Sequence, residues 1–372
     1  ALNLLERSLL CDSFNVDASE LMDIMLEAML NPDEPKVVEE SRALECEMEV
    51  ELERLPIPWH HPEDAGRYMS ASIIIAQYEG IRNVSYHRQL IIGKNKLAAR
   101  LVPRHLRTML NKAKAKGEEI PIAIVNAPGP LVLLAAAMSF DHDLDELTVA
   151  SALHRRLYGE SLPVVILDNG IMAPADAEYI MQARLTTELA EEGPYVDITG
   201  TVDITRLEPV IEVDSIHHAK NPVMHVLIPG FPEHRNMMGL PRAPAIKDAV
   251  NKVTECVDVF LSEGGCGWLA AVVAIEPKDE GDAVKAINAA FAGHPSMKQV
   301  TIVNSDIDVS NPVKVEWAMM TRWQPDKDTV ILSGQKGSSL DPSRNPDGTT
   351  AKVGFDATLP LGSTDDEYLS VL

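Results

Sequence analysis

Two carboxylates and an arginine are the residues best spaced to do chemistry together. The run EEGPYVD, residues 191–197, carries acids on both sides of Gly193-Pro194. That dipeptide forces a turn, so Glu192 and Asp197 can converge instead of lying on opposite sides of a helix. Clamped by an arginine, two such acids acquire different proton affinities. The cation favours ionisation of one, while burial favours the neutral form of the other. One can then stay an anion while the other donates a proton. A solvated surface turn has the same spacing, so this pattern alone does not choose.

The arginine belongs to an unusual window. Residues 81–107 hold seven Lys or Arg and no Asp or Glu, in a chain with 56 acids against 33 bases. At the average density that window would carry about four carboxylates. Arg82, Arg88, Lys94, Lys96, Arg100, Arg104 and Arg107 alternate with apolar residues, as in a strand pair presenting cations on one face. Such a field suits a compact anion, for example a phosphate-bearing cofactor, and equally an ordinary basic hairpin. The net charge of −23 argues against nucleic acid or an anionic membrane as partner, because repulsion dominates beyond a Debye length of roughly 8 Å.

Three further residues could hold a metal. Asn83 lies in the basic window, His105 opens a helix after Pro103-Arg104, and Glu146 opens another after the acidic turn DHDLD. An amide oxygen, an imidazole and a carboxylate suit a hard divalent ion that also touches phosphate. Their spacing is too wide for a motif, and capping or surface roles are the plainer reading of each alone. The pairs His60-His61 and His217-His218 would point to opposite faces of a strand. EGGCGW lacks the order of a nucleotide loop and reads as a tight turn between strands.

The elements that must position these residues fall into two textures. With 372 residues, 45% of them hydrophobic, the chain can bury two domain cores. No apolar run approaches the ~20 residues of a membrane span, and ALNLLERSLL, broken by Glu6 and Arg7, reads poorly as a signal peptide. Cys11, Cys46, Cys256 and Cys266 form no CxxC and fit free thiols in a reducing cytoplasm. Helices are expected over 18–30, 36–55, 105–116 and 147–157, and short strands from about 73 to 228. The apolar stretch LVLLAAAMS has no assignable period. From 244 onward strands and helices alternate, as in an open α/β sheet with helices on its faces. The Gly-, Pro-, Asp- and Ser-rich tail beyond 338 reads as a loop or arm. The expected organisation is a helical or linker segment 1–64, a strand-rich domain 65–230, an α/β domain 231–340 and an arm 341–372.

Six separated segments, in order, resemble signatures of the UbiD family of reversible decarboxylases, which use prenylated FMN. They are NVSYHR (83–88, followed by IGKNKL), PRHL (103–106), LDEL (144–147), EEGPYVD, SDIDV with VEWAMMTR (305–322), and AKVGFDAT (351–358). The resemblance implies an α/β (α+β) protein, a split β-barrel flavin domain joined to an α/β domain that forms homo-oligomers. It implies Arg88, Glu192 and Asp197 as the catalytic trio. Asp197 would donate the proton, Arg88 would orient the substrate carboxylate, and Glu192 would fix Arg88 and tune the flavin. It also implies Mn²⁺ on Asn83, His105 and Glu146, gripping the cofactor phosphate. Ser85 and Arg104 would line the cofactor, Lys352 would reach the phosphate from the tail, and main-chain oxygens near 136–138 would hold a monovalent cation such as K⁺. A flavin prenyltransferase would supply the cofactor.

Val196 stands where the family usually has Gly, NAPGP replaces a Gly-x-x-Pro, MQARL replaces a Val-Leu-Glu-Gly, and SDIDV lacks an acid pair before Ile307. These departures bear on the substrate. NVSYHR, PRHL, EGPYVDITG, EHRNMMGLP and KGSSLDPS resemble the archaeal subgroup that decarboxylates trans-anhydromevalonate 5-phosphate. That small phosphorylated acid would need further cations, for which Arg235, Arg242 and Lys336 are candidates. The alternatives are a 4-hydroxybenzoate-type aromatic acid, an inactive flavin-binding homologue, or a flavin-free metal hydrolase using Asn83, His105 and Glu146.

Overall fold

A computed structural model describes residues 7–138 and 144–363, which fall into two compact units. The first comprises Ala1–Asn15 with Glu27–Met237, and the second Val16–Leu26 with Met238–Leu372. The first six residues, much of the turn DHDLD and the last nine residues of the expected arm lie outside the described residues.

The first unit is built on a nine-stranded antiparallel sheet. Its order is Tyr68–Met69, Gln89–Ile91, Lys96–Ala99, Arg206–His218, Tyr179–Glu192, Ile120–Asn126, Ile73–Tyr78 and Ile81–Tyr86, with Cys46–Met48 pairing onto His218 and its neighbours. Alternate residues of these strands (Ile74, Ala76, Leu97, Ile122, Ile124, Met181, Ile211) form one face of the core. Helix His105–Lys116 covers it with Leu106, Met109, Leu110 and Ala113, and Gly117 ends the helix at φ 74°. Helix Glu146–Tyr158 begins at Asp145, whose carboxylate accepts from the Leu147 amide. Helix Pro130–Ala137 takes up most of LVLLAAAMS. Every residue from Leu131 to Ala137 is buried, which is why no apolar stripe shows.

Two expected elements of this unit are corrected. The acid-rich stretch 36–55 is not a helix but strands Lys36–Val37 and Cys46–Met48 with short 3₁₀ turns at Arg42–Leu44 and Leu52–Arg54. Glu45, Glu47, Glu49 and Glu51 alternate with Cys46, Met48, Val50 and Leu52, a period of two that lays Met48 and Val50 against the core. Residues 222–228 form no strand. Side chains take the place of a strand partner: Asn126 donates to the His225 carbonyl at 3.0 Å and accepts from its amide at 2.8 Å, Glu178 accepts from the Val223 amide, and Ser70 donates to the Leu227 carbonyl.

The second unit carries the expected α/β sheet. Its order is Glu255–Leu261, Ala270–Glu276, Gln299–Asn304, Thr349–Ala357 and Thr329–Lys336. Helices Ala243–Asn251 and Asp282–Gly293 pack on one face and Pro312–Arg322 on the other. EGGCGW makes the turn between the first two strands, as its glycines suggest. The tail is corrected: Thr349–Ala357 is an interior strand, parallel to Gln299–Asn304 and antiparallel to Thr329–Lys336. At Gly354 a Cβ would sit 2.3 Å from Ile287, so only glycine lets that helix so close.

Candidate active site

Strands Ile81–Tyr86 and Gln89–Ile91 are separated by His87 and Arg88; the Arg88 side chain is bound by acids. Its Nε and Nη2 donate to the two oxygens of Glu192 at 2.8 and 3.0 Å, and Nη1 donates to Asp197 Oδ2 at 2.8 Å. Nη2 also donates to Asp203 Oδ2 at 2.8 Å, and the guanidinium lies 4.6 Å from the Tyr195 ring centroid. Arg88 is 8% exposed and Glu192 fully buried. Burial disfavours the Arg88 charge, but its bonds to Glu192 and the fields of Glu192, Asp197 and Asp203 outweigh it and raise its pKa. Tyr68 donates to Glu192 Oε1 at 3.1 Å and accepts from the Gly193 amide, and burial followed by the Glu192 charge keeps its phenol protonated.

The acids arrive on one continuous stretch. Glu192 ends the strand Tyr179–Glu192. Strands Tyr195–Val196 and Val202–Asp203 then pair antiparallel, and Tyr195 faces Asp203 across the hairpin. Asp64 anchors it by accepting from the Val196 amide at 2.8 Å. Gly193 is required at the entry: its φ is +95°, and a Cβ there would meet the Ile204 carbonyl oxygen at 2.8 Å. Gly193→Ala is therefore expected to destabilise the fold by about 1–3 kcal/mol in urea titration and to lower turnover as Glu192 shifts. Unchanged stability together with unchanged turnover would show that this turn does not position the acid.

The acid-free window is not a reserve of free cations. Arg82 pairs with Asp145, Lys94 with Glu49, Lys96 with Glu188 and Glu212, and both Arg100 and Arg107 with Glu208. The acids absent from the window come from other segments. Among the described residues, Arg104 alone of the seven has no carboxylate within ion-pair reach. It is exposed and precedes the first turn of helix His105–Lys116. An arginine at a helix N-terminus suits an anion.

Asn83 and Glu146 are in direct contact. Asn83 Nδ2 donates to Glu146 Oε1 at 2.9 Å, the Val84 amide donates to Oε2 at 2.8 Å, and Ser85 Oγ donates to Asn83 Oδ1 at 2.9 Å. Burial, the leading cause, pushes the Glu146 carboxyl up to about 7. A buried carboxylate so short of positive charge fits a bound cation. His105 opens its helix half-buried. Among the described residues no three His, Cys, Asp or Glu side chains gather at one point, so a cation here would also need Asn83 and oxygens of a ligand such as phosphate. Lys352 is otherwise engaged: its ammonium donates to the Pro295 carbonyl at 2.6 Å and sits over the Phe291 ring within the second unit.

Sequence reasoning missed Asp203, Tyr68 and Asp64. The alternation TVD after the turn DITG was the available signal for Asp203, because it places a second acid opposite Tyr195. Of the extra cations, Arg235 has a buried Nε with no acceptor among the described residues. Arg242 lies over the Trp268 ring, and Lys336 ends an exposed strand.

This chain belongs to the UbiD family of flavin-dependent carboxy-lyases. Residues 31–232 match the 3-octaprenyl-4-hydroxybenzoate carboxy-lyase Rift-related domain, and residues 235–357 match the C-terminal domain of the same enzymes. Within that family it is 45% identical over 319 residues to the anhydromevalonate phosphate decarboxylase of Methanothermobacter thermautotrophicus, covering 85% of this chain and 74% of the relative. The enzyme of that name from Methanocaldococcus jannaschii is 41% identical over 366 residues, 96% of this chain and 86% of its own. Among solved structures, the UbiD-class enzyme HmfF from Pelotomaculum thermopropionicum in complex with FMN superposes with a TM-score of 0.92 at 32% identity, over 99% of this chain and 84% of that one. Among the described residues no disulfide joins any of the cysteines, and no helix is long and apolar enough to cross a membrane.

Proposed function

We propose that this protein decarboxylates trans-anhydromevalonate 5-phosphate to isopentenyl phosphate, using prenylated FMN and Mn²⁺. The single observation carrying the chemistry is Arg88 held between Glu192 and Asp197. The substrate is favoured by the 41–45% identity to the archaeal enzymes above, by an aromatic content of 5% that offers little stacking surface, and by the unpartnered Arg235 Nε.

Prenylated FMN, when bound, supplies the electron sink that lets carbon dioxide leave an α,β-unsaturated acid. Everything else falls to the chain. Arg88 binds and aims the substrate carboxylate, and the paired grip of Glu192 fixes the guanidinium plane. Tyr68 and Tyr195 exclude water from one side of it. Asp197, more accessible than Glu192, delivers a proton to the carbon that carried the carboxylate. One carbon dioxide leaves and one proton enters. Arg104, Ser85 and the N-terminus of helix His105–Lys116 would hold the cofactor phosphate, and Asn83, Glu146 and His105 the metal. A monovalent cation such as K⁺ would sit at the carbonyl end of helix Pro130–Ala137. A flavin prenyltransferase as supplier, assembly into homo-oligomers and a cytoplasmic location belong to the same proposal.

Turnover of reconstituted holoenzyme on trans-anhydromevalonate 5-phosphate and on 4-hydroxybenzoate, followed by carbon dioxide release, tests the reading. Activity on the aromatic acid alone would replace the substrate, and inactivity on every candidate acid would favour a flavin-binding homologue. Activity without flavin would favour the hydrolase. Glu146→Gln is expected to lower bound Mn²⁺ in elemental analysis and to weaken flavin binding about tenfold or more. Unaltered metal and flavin content would remove Glu146 from the cofactor site.

A further inference from the structure

Arg88 is short of donors for a substrate. A guanidinium has five N–H groups. Among the described residues four are occupied: two on Glu192, one on Asp197 and one on Asp203. Tyr195 covers one face. A substrate carboxylate that takes the paired grip arginine offers to carboxylates must displace an acid already bound.

The three acids differ in how readily they leave. Glu192 is fully buried and held by two bonds from Arg88 and one from Tyr68. Asp197 is 19% exposed, and its Oδ1 accepts from the Ile198 amide. Asp203 is the most exposed at 26%, receives a single bond from Arg88, and has a second cation beside it. Arg206 donates to both Asp203 oxygens at 2.6 and 2.8 Å. Burial acts to raise the Asp203 pKa, but Arg206 and Arg88 outweigh it and keep the carboxyl well below the usual range.

We propose that Asp203 is a place-holding anion on Arg88, displaced by the substrate carboxylate and retained by Arg206 when the substrate arrives. The proposal rests on the decarboxylase reading. No covalent bond changes: one carboxylate replaces another on the second Nη2 N–H, which therefore keeps an acceptor throughout, while Glu192 and Asp197 stay bound. Asp203 is a positioning residue in this scheme, acting through Arg88.

The test is the sign of two opposite shifts. The saturated analogue of the substrate, which cannot react, is titrated calorimetrically into reconstituted holoenzyme, with KM measured in parallel. Asp203→Asn weakens the competitor, so Kd and KM should fall about three- to tenfold. Arg206→Gln leaves Asp203 wholly dependent on Arg88, so both should rise by a similar factor. Asp203→Ser gives the same sign as Asp203→Asn and stands in for it if the asparagine variant does not fold. A merely structural role would weaken binding in all three, and shifts of one sign, or none, overturn the proposal. Opposite shifts in analogue Kd without wild-type turnover would sink the decarboxylase reading and keep the exchange. Turnover without the shifts does the reverse.

Discussion

Arg88→Ala holoenzyme is expected to keep no more than about a thousandth of the wild-type kcat/KM, close to 4 kcal/mol of transition-state stabilisation. The residue is where two elements otherwise distant in sequence meet, with 104 positions separating it from Glu192 and 109 from Asp197. Truncation removes the cation that aims the substrate carboxylate. It also leaves Glu192, fully buried, without its charge partner. Breaking a buried pair from one side costs about 3–5 kcal/mol, so the variant should also unfold at lower urea. Arg88→Lys separates the two effects. It restores a charge but loses the planar fork, and should recover stability more than turnover. Circular dichroism and flavin absorbance must show both variants folded and loaded. A folded, loaded Arg88→Ala enzyme retaining a tenth of wild-type turnover would take Arg88 out of the chemistry.

The trio was legible because a turn at Gly193-Pro194 lets the flanking acids converge, and the resemblance of six ordered segments implied Arg88 as their partner. The charge window was legible as a pattern, but which of its cations are already paired was not. Composition counts charges along the chain, whereas Glu208, Glu188 and Glu49 reach those cations through tertiary contacts that no local window contains. Asp203 was hidden for the same reason, since its role depends on a two-residue ladder with Tyr195. The stretch 36–55 was misjudged because its abundant Glu favours helix, while its period of two favours strand, and packing of Met48 and Val50 decides. The strand Thr349–Ala357 was masked by the glycine- and proline-rich turn before it, and its interior position depends on pairing with Gln299–Asn304 on one side and Thr329–Lys336 on the other.

Asp197→Asn should lower kcat by about 10²–10⁴ and leave KM within a few-fold. Asparagine keeps the shape, but its single acceptor oxygen can take only one of the two bonds that hold Asp197, from Arg88 Nη1 or from the Ile198 amide. What it lacks is a transferable proton. The step it blocks follows carbon dioxide departure, so substrate binding survives while product release stalls. Glu192→Gln should behave differently. It weakens the two-bond grip on Arg88 and leaves Tyr68 facing an amide, so KM should rise along with the fall in kcat. Product formed in D₂O reports the donor directly: wild type should place one deuterium on the carbon that carried the carboxylate, at a rate the Asp197→Asn enzyme cannot match. Near-normal kcat in Asp197→Asn with a collapse in Glu192→Gln would move the proton to Glu192. Because Glu192 is fully buried and Asp197 is 19% exposed, the reloading of that proton from solvent favours Asp197.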